Sequence, residues 1–237
     1  MKKALLFGSI GVLTETSELQ RKAYNTALKL NNIEYIWNIG TYCELLKEPG
    51  GKKRLSSFGD KILSNEQVVK IHNDKQQIFE KLVKDGIEPR PGCLQAIKKC
   101  KELGIKVGFV TTTTPKTINI IKEGLSNFLD FADFDLITSN QKVTLDKPNP
   151  EVYEYALKEL GVYAHEAVAV EDTTVNQSCA IQCGIDCYLY PGEYATVGYK
   201  NMIGKKLFVM SPLKNKVIPV EIVSSHYVDP KGERVRS

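Results

Sequence analysis

The stretch CLQAIKKCKELGIKVGFV, residues 93–110, contains the two patterns on which the fold class depends. Its first part, Cys93 to Leu103, is predicted to be a helix, and its last part, Lys106 to Val110, a short apolar strand. After the Pro91-Gly92 turn that precedes it, the chain keeps repeating this order of helix and strand. Such alternation is typical of a parallel sheet with helices on both faces.

The same reasoning places further elements along the chain. KALLF, residues 3–7, is an apolar run that ends at a Gly-Ser turn and is predicted to be a buried strand. A helix is expected over 16–29, with Thr16 as N-cap, and the polar, helix-like block 35–84 contains no convincing strand, so it looks like an insertion. The remaining predictions are helices at 117–125, 150–160 and 174–183 and strands at 136–137, 167–170, 187–189 and 217–223.

Composition limits the classes of function. The chain has 237 residues, of which 42% are hydrophobic and 25% charged, as in ordinary soluble domains. A net charge of +4 with lysines spread along the chain does not indicate a nucleic-acid partner, and no apolar run approaches the ~20 residues of a membrane span. The six cysteines form no C-x-x-C pair, and we find no signal peptide, so a cytoplasmic location is expected. Nothing in the sequence indicates the oligomeric state.

Polar segments follow the predicted strands. In open α/β sheets, ligands bind outside the carboxyl ends of the strands, so these segments are expected to converge. They are Gly8-Ser9-Ile10-Gly11, Thr111 to Thr114, Asp146-Lys147-Pro148 and Glu171-Asp172.

The segments FGSIGVLTET, VTTTT, DKPNPEVYEYALKELGV and AVAVEDT, in this order, resemble the four motifs of the haloacid dehalogenase superfamily. The resemblance is greatest to the subgroup of β-phosphoglucomutases and CbbY-type sugar-bisphosphate phosphatases. It implies an α/β fold, with a doubly wound parallel (Rossmann-like) core and a helical cap inserted after the first strand. The implied limits are 1–15 and 89–213 for the core, 16–88 for the cap and 214–237 for a C-terminal extension.

The first motif departs from the family pattern D-x-D-G. In the family, the first aspartate attacks phosphorus and holds Mg²⁺, and the second is the general acid and base. The matching positions here are Gly8 and Ile10, so neither an aspartyl phosphate nor that proton transfer is possible at these positions. Ser9, between them, is expected to point away from the pocket, and an unassisted hydroxyl is a weak nucleophile.

The other motifs match the pattern. The resemblance implies that Thr111, beside Thr112, binds phosphate, that Lys147 neutralises it, and that Glu171 and Asp172 complete the Mg²⁺ shell. Purely structural roles are also consistent with these residues. Thr111 can be a helix N-cap, Lys147 a solvated loop residue, and the acidic pair part of a capping turn.

Without a carboxylate at position 8, the magnesium site is expected to be weak. We therefore expect no cofactor, with Mg²⁺ as a weakened option. The backbone N–H groups of Gly8, Ser9, Ile10 and Gly11 can form a nest for an anion, so metal-independent binding of a phosphate, sulfonate or carboxylate is predicted.

The cap contains a second candidate anion site. Gly51, Lys52 and Arg54 match a glycine turn that holds the substrate's other phosphate in the resembling phosphatases, although a solvated basic loop accounts for them nearly as well. Glu15 lies at the cap hinge. Gln20 stands where the mutases often have a histidine, and its amide cannot transfer a proton, which argues against mutase chemistry.

Three functions remain open, and the expected ligand is a small anionic metabolite, namely a phosphorylated sugar. The first is an atypical enzyme that uses Glu171, Asp172, Lys147 and Glu15 in non-phosphatase acid–base chemistry. The second is a catalytically inactive protein that senses a metabolite or binds a partner. The third is a phosphatase with a substitute carboxylate.

Overall fold

The computed structural model describes residues 1–46, 50–56, 63–192, 194, 206–211 and 216–221. The chain divides into two compact units, Met1–Thr196 and Val197–Ser237. The first unit contains a five-stranded parallel sheet in the order β3-β2-β1-β4-β5. Its strands are β1 Ala4–Phe7, β2 Lys106–Phe109, β3 Leu136–Ile137, β4 Ala167–Glu171 and β5 Asp186–Leu189.

Helices cover this sheet and fill the interval between β1 and β2. Those that follow the insertion are α6 Cys93–Glu102, α7 Pro115–Gly124, α8 Glu151–Leu160 and α9 Thr174–Gln182. Between β1 and α6 lie the short helix α1 Ile10–Leu13 and the helices of the insertion itself, α2 Ser17–Leu30, α3 Ile39–Leu46, α4 Gly51–Ser56 and α5 Asn65–Lys84. The predicted α/β class, a doubly wound parallel sheet with an inserted helical cap, is confirmed.

Some local features differ from the predictions. The four-residue helix α1 was not predicted, because so short a helix leaves little periodic pattern. Thr16 is the N-cap residue of α2, as expected, but its side chain makes no capping hydrogen bond. In the second unit, β6 Lys206–Ser211 pairs in antiparallel fashion with β7 Lys216–Glu221. This unit begins at Val197, whereas the predicted extension begins at 214; the limits of core, cap and extension stay predictions.

Two strand pairings bring the site together. Phe7 of β1 is aligned with Phe109 of β2 and with Val170 of β4. Parallel strands in this register end at one edge of the sheet, so the residues that follow Phe7, Phe109 and Val170 are neighbours. The side chains of Leu6, Phe7 and Phe109 are buried, which holds these strand ends in place.

The cap has its own apolar core and a compact hinge. Tyr24 and Trp37 pack with ring centroids 4.6 Å apart in a cluster that also contains buried Tyr42. At the hinge, the Thr14 hydroxyl donates to the carbonyl of Glu88 at 2.8 Å. This hydrogen bond joins the segment that enters the cap to the segment that leaves it. Within the part of the chain that the structure describes, no helix is both long and apolar enough to cross a membrane.

Candidate active-site cleft

A cleft of about 560 Å³ lies between the carboxyl edge of the sheet and the cap. Both sides belong to the compact unit Met1–Thr196. The sheet side includes Gly8, Ser9, Ile10, Gly11, Thr111, Thr112, Asp146, Lys147 and Asp172, and the cap side includes Gln20, Tyr24, Gly50, Gly51, Arg54, His72 and Lys75.

Lys147 is buried at the sheet side of the cleft. Its side chain is 6% exposed and forms an ion pair with Glu171, which is 0% exposed, at 2.5 Å between Nζ and Oε1. Nζ also donates to the backbone carbonyls of Gly8 and Val110, the latter at 2.9 Å. The hypothesis that Lys147 is a solvated loop residue is therefore wrong, because all these partners hold its ammonium group inside the protein.

Glu171 lies beneath the cleft and does not line it. Its Oε1 also accepts a hydrogen bond from the Tyr153 hydroxyl at 2.7 Å. Its Oε2 is buried and has no hydrogen-bond partner among the described residues. Burial raises the pKa of Glu171, and the nearby charge of Lys147 opposes that rise. The predicted general acid or metal ligand is thus enclosed by Lys147 and Tyr153.

Gly8 makes room for this arrangement. A Cβ atom built on Gly8 would lie 2.2 Å from the Glu171 carboxyl carbon and 2.3 Å from the Tyr153 hydroxyl oxygen. The Glu171 carboxyl and the Tyr153 hydroxyl occupy the space that a side chain at residue 8 would need, so they would have to move to admit one. Gly11 makes room in the same way, because its Cβ would lie 2.2 Å from Asp172 Oδ2.

Ser9 lies between Gly8 and Ile10. It belongs to the lining of the cleft, but its Oγ atom is buried and finds no hydrogen-bond partner among the described residues. No base therefore activates the hydroxyl within that part of the chain. The exclusion of Ser9 as a nucleophile stays a prediction.

The threonine loop after β2 is held by internal hydrogen bonds. Thr111 donates its N–H to Thr138 Oγ1 at 2.8 Å, and its own Oγ1 accepts from the N–H of Thr113 at 3.2 Å. The N-cap of α7 is Thr114, whose side chain accepts from the Thr117 N–H. The hypothesis that Thr111 is a helix N-cap is therefore wrong, and Thr111 and Thr112 line the cleft.

Asp172 faces the cleft from the loop after β4. Its Oδ1 accepts from the Asn176 side chain at 3.3 Å. The N-cap of α9 is Thr173, so the hypothesis that the acidic pair caps this helix is wrong as well.

The structure does not bring the two predicted magnesium ligands, Glu171 and Asp172, together at the cleft. Mg²⁺ requires near-octahedral coordination by oxygen atoms, usually with one or two carboxylates. No cluster of three or more His, Cys, Asp or Glu side chains suited to a metal exists among the described residues. Glu171, the predicted partner of Asp172, is enclosed with Lys147.

The cap supplies part of its predicted anion site. Gly51 begins helix α4, and Gly50, just before it, has a positive φ of 104°. Gly51 and Arg54 line the cleft, whereas Lys52 is exposed and lies outside the lining. The Arg54 Nε donates to the Leu45 carbonyl at 2.8 Å, which fixes the guanidinium beside the cleft.

Glu15 lies outside the cleft, at the hinge. Its Oε1 is 3.2 Å from Nε of Arg90. Arg90 also donates to the backbone carbonyl of Gly11 at 2.7 Å. The geometry therefore assigns Glu15 to the connection between core and cap, and its catalytic role stays an untested prediction.

Sequence reasoning missed Lys75 and His72, both on α5. Lys75 is only 4% exposed, and it lies on the face of α5 that also buries Ile71 and Phe79. This four-residue spacing of Ile71, Lys75 and Phe79 was the available signal, because it places a lysine within an apolar helix face. Burial lowers the pKa of His72 to about 4.

Comparisons with known proteins agree with this architecture. The profile of the haloacid dehalogenase-like hydrolases matches residues 11–190, a stretch that begins after Gly8 and Ile10. Protein CbbY of Cereibacter sphaeroides is 33% identical over 200 residues, which cover 82% of this chain and 86% of that protein. The phosphorylated carbohydrates phosphatase of Thermotoga maritima is 27% identical over 188 residues, covering 78% and 82%.

Solved structures give the same result. A crystal structure of a CbbY point mutant from Rhodobacter sphaeroides, in complex with xylulose-(1,5)bisphosphate, superposes with a TM-score of 0.74 at 32% identity and covers 83% of this chain and 89% of that one. The β-phosphoglucomutase of Clostridium difficile superposes with a TM-score of 0.66 at 21% identity, covering 79% and 83%, which demonstrates a shared fold alone.

Proposed function

The chain belongs to the haloacid dehalogenase-like hydrolases, and from that membership we propose that it binds a small phosphorylated metabolite without a metal ion and without forming an aspartyl phosphate. The fold provides the cleft, but Gly8 and Ile10 provide no carboxylate for nucleophilic attack or proton transfer. The metabolite class follows from the chemistry of the lining and from the relatives. CbbY of Rhodobacter sphaeroides has been crystallised with xylulose-(1,5)bisphosphate and with phosphate.

The observation that carries the proposal is the enclosed pair of Lys147 and Glu171. A carboxylate can attack phosphorus or hold Mg²⁺ only if its oxygens reach the ligand. Glu171 is fully buried, forms an ion pair with Lys147 and accepts a hydrogen bond from Tyr153, and residue 8 has no side chain. The chemistry of the family therefore lacks its nucleophile here, while the fold that surrounds a ligand is retained.

The lining favours an anion held by neutral donors and by cations. Thr111 and Thr112 border the sheet side, and Arg54 borders the cap side. Arginine presents a planar fork of N–H groups that suits phosphate. Two carboxylates, Asp146 and Asp172, also line the cleft, so anion affinity depends on where the ligand lies relative to them.

The geometry supports ligand binding better than it supports acid–base catalysis by the four predicted catalytic residues. Glu171 is enclosed, Lys147 is held by Glu171 and two carbonyls, and Glu15 pairs with Arg90. Asp172 alone of these four both lines the cleft and keeps a carboxylate at its surface. A metabolite-sensing protein is accordingly the form of the proposal that the geometry supports best. A phosphatase that uses Glu171 as a substitute nucleophile would require the Lys147 pair to open.

A thermal-unfolding screen tests the proposal. The melting temperature is measured with sugar phosphates, in Mg²⁺ and in EDTA, for the wild type and for Arg54→Gln; exposed Lys70→Gln on α5 is the control. Ligands that bind the folded state raise the melting temperature by linkage. We expect equal stabilisation in both buffers, retained in Lys70→Gln and reduced in Arg54→Gln. Stabilisation that requires Mg²⁺, or release of inorganic phosphate, would contradict the proposal.

A further inference from the structure

Lys75 is a buried amine at the cap wall of the cleft. Its Nζ donates to the side-chain carbonyl oxygen of Gln20, and it lies 4.8 Å from the Tyr24 ring centroid and 5.0 Å from that of Phe79. Lys75, Gln20 and Tyr24 all line the cleft. The amine therefore lies between an apolar floor and the space that a ligand would fill.

The surroundings of Lys75 favour its neutral form. Among the residues that the structure describes, no carboxylate forms an ion pair with it. The ionisable groups near it are basic or phenolic, namely Arg54 on α4, His72 on α5 and Tyr24 on α2. Burial, followed by the charge of Arg54, lowers the pKa of Lys75 to about 7. A lysine that is desolvated and close to another cation is the kind of amine that reacts with carbonyl compounds.

We propose that Lys75 forms an imine with the carbonyl carbon of a phosphorylated aldehyde or ketone bound in the cleft. The inference rests on the proposed function, because it needs the phosphate group to be held in the same cleft. The Nζ lone pair forms the C–N bond, the C=O π pair moves to oxygen, and one Nζ hydrogen passes to that oxygen as a proton to give a carbinolamine. Loss of that oxygen with the second Nζ hydrogen as water forms the C=N bond, so one neutral amine and one carbonyl give one imine and one water.

Neighbouring groups suit this reaction. An N–H of the neutral amine can donate to Gln20, which leaves the nitrogen lone pair for the carbonyl carbon. A phosphate beside Arg54 would carry the negative charge that stabilises the protonated, cationic imine. The aromatic rings of Tyr24 and Phe79 add cation–π stabilisation to the same charge.

Reductive trapping tests the inference on the full chain. The protein is incubated briefly with glyceraldehyde 3-phosphate and sodium cyanoborohydride near pH 7.5, and the modified lysines are mapped by peptide mass spectrometry. The internal control is Lys70, an exposed lysine on the same helix that pairs with Asp74 at 3.0 Å. We expect Lys75 to be labelled at least about tenfold faster than Lys70, because a lower pKa leaves more neutral amine at this pH. Inorganic phosphate should suppress labelling at Lys75 but not at Lys70.

A non-carbonyl analogue separates this inference from the proposed function. Glycerol 3-phosphate should raise the melting temperature of the wild type without any adduct. If it stabilises the protein but glyceraldehyde 3-phosphate labels Lys75 no faster than Lys70, the imine is wrong and the binding function stands. If neither compound stabilises the protein and Lys75 is not labelled preferentially, both are wrong. Because the adduct is mapped on the wild type, the test does not depend on a variant that folds.

Discussion

The carboxyl carbon of Glu171 lies 2.2 Å from the point where a Cβ atom on Gly8 would stand. Gly8 directly follows β1, and Glu171 is the last residue of the neighbouring parallel strand β4. The two are close because Phe7 is aligned with Val170. One space therefore serves either a side chain at residue 8 or the carboxyl of Glu171, but not both in this conformation. The absence of a side chain at residue 8 and the burial of Glu171 are two aspects of the same packing.

Placing an aspartate at residue 8 is expected to destabilise the protein and not to create phosphatase activity. Gly8→Asp forces a side chain into the space of Glu171 and Tyr153, and overpacking of this kind typically costs about 1–3 kcal/mol. Urea denaturation measures the cost, and a phosphate-release assay measures activity. Gly8→Ala tests the steric part alone. Combined with Glu171→Ala it should cost less than the sum of the single changes, with a coupling of about 0.5–3 kcal/mol. Strict additivity would contradict the shared space.

Removing Lys147 is expected to cost far more stability than removing a surface lysine. Lys147→Met leaves the Glu171 carboxyl buried without its cation, and breaking one side of a buried pair costs about 3–5 kcal/mol. The control is Lys99→Met, because Lys99 pairs with Glu102 at 3.1 Å with side chains 65% and 49% exposed. Such surface pairs contribute about 0–1 kcal/mol. Equal losses in urea denaturation would mean that Lys147 is not held as described.

Asp172 provides a test in which the sign of the effect separates two mechanisms. If the ligand is bound without metal, Asp172→Asn removes a negative charge from the cleft and keeps a side chain near Asn176. Affinity for a sugar phosphate should then rise severalfold, because about 1 kcal/mol of repulsion is about fivefold in Kd. If Mg²⁺ bridges Asp172 and the ligand, the same change should weaken binding. Titration calorimetry measures either result.

The stability of the protein should depend on pH through Lys75. Its pKa in the folded protein is lowered from 10.5 to about 7. Above pH 10.5 both states hold a neutral amine, and as the pH falls towards 7 only the unfolded state takes up the proton. This group therefore lowers stability progressively between pH 10.5 and 7, by at most about 1.4 kcal/mol per pH unit, with no further change below pH 7.

Replacement of Lys75 isolates that contribution. Lys75→Met keeps the apolar stem and removes the titration, so the variant should gain stability relative to wild type as the pH falls from 10 to 7. Denaturation curves at several pH values measure the difference. A stability difference that does not vary with pH over this range would contradict the lowered pKa.

Most of the fold was accessible from the sequence because it depends on local patterns. The apolar run at Ala4–Phe7 and the repeated helix–strand order locate the strands, and the strand ends then bring Gly8, Thr111, Lys147 and Asp172 to one edge. Local sequence is insufficient where a side chain's surroundings come from distant segments. From the sequence, Lys147 was expected at the site, with a solvated loop as the alternative, and its burial became evident only with Gly8, Val110 and Glu171 placed around it.

The roles of individual site residues were harder to predict from the motifs, because they too depend on contacts with distant segments of the chain. Glu171 occupies a motif position, but its enclosure depends on Tyr153, 18 residues away in the chain, and on the missing side chain at Gly8. Lys75 lies outside every motif, and only its place among Ile71 and Phe79 on one helix face indicates burial. Its position beside Gln20 depends on the packing of α5 against α2, which no local pattern reports.

The central claim is that the cleft binds a phosphorylated ligand without a metal ion. Calorimetric titration of the wild type with a sugar phosphate that stabilises it, first in EDTA and then in excess Mg²⁺, tests this most directly. We predict the same Kd in both buffers, within about twofold, since no cluster of three or more potential metal ligands exists among the described residues. Binding seen in Mg²⁺ and lost in EDTA would contradict the account.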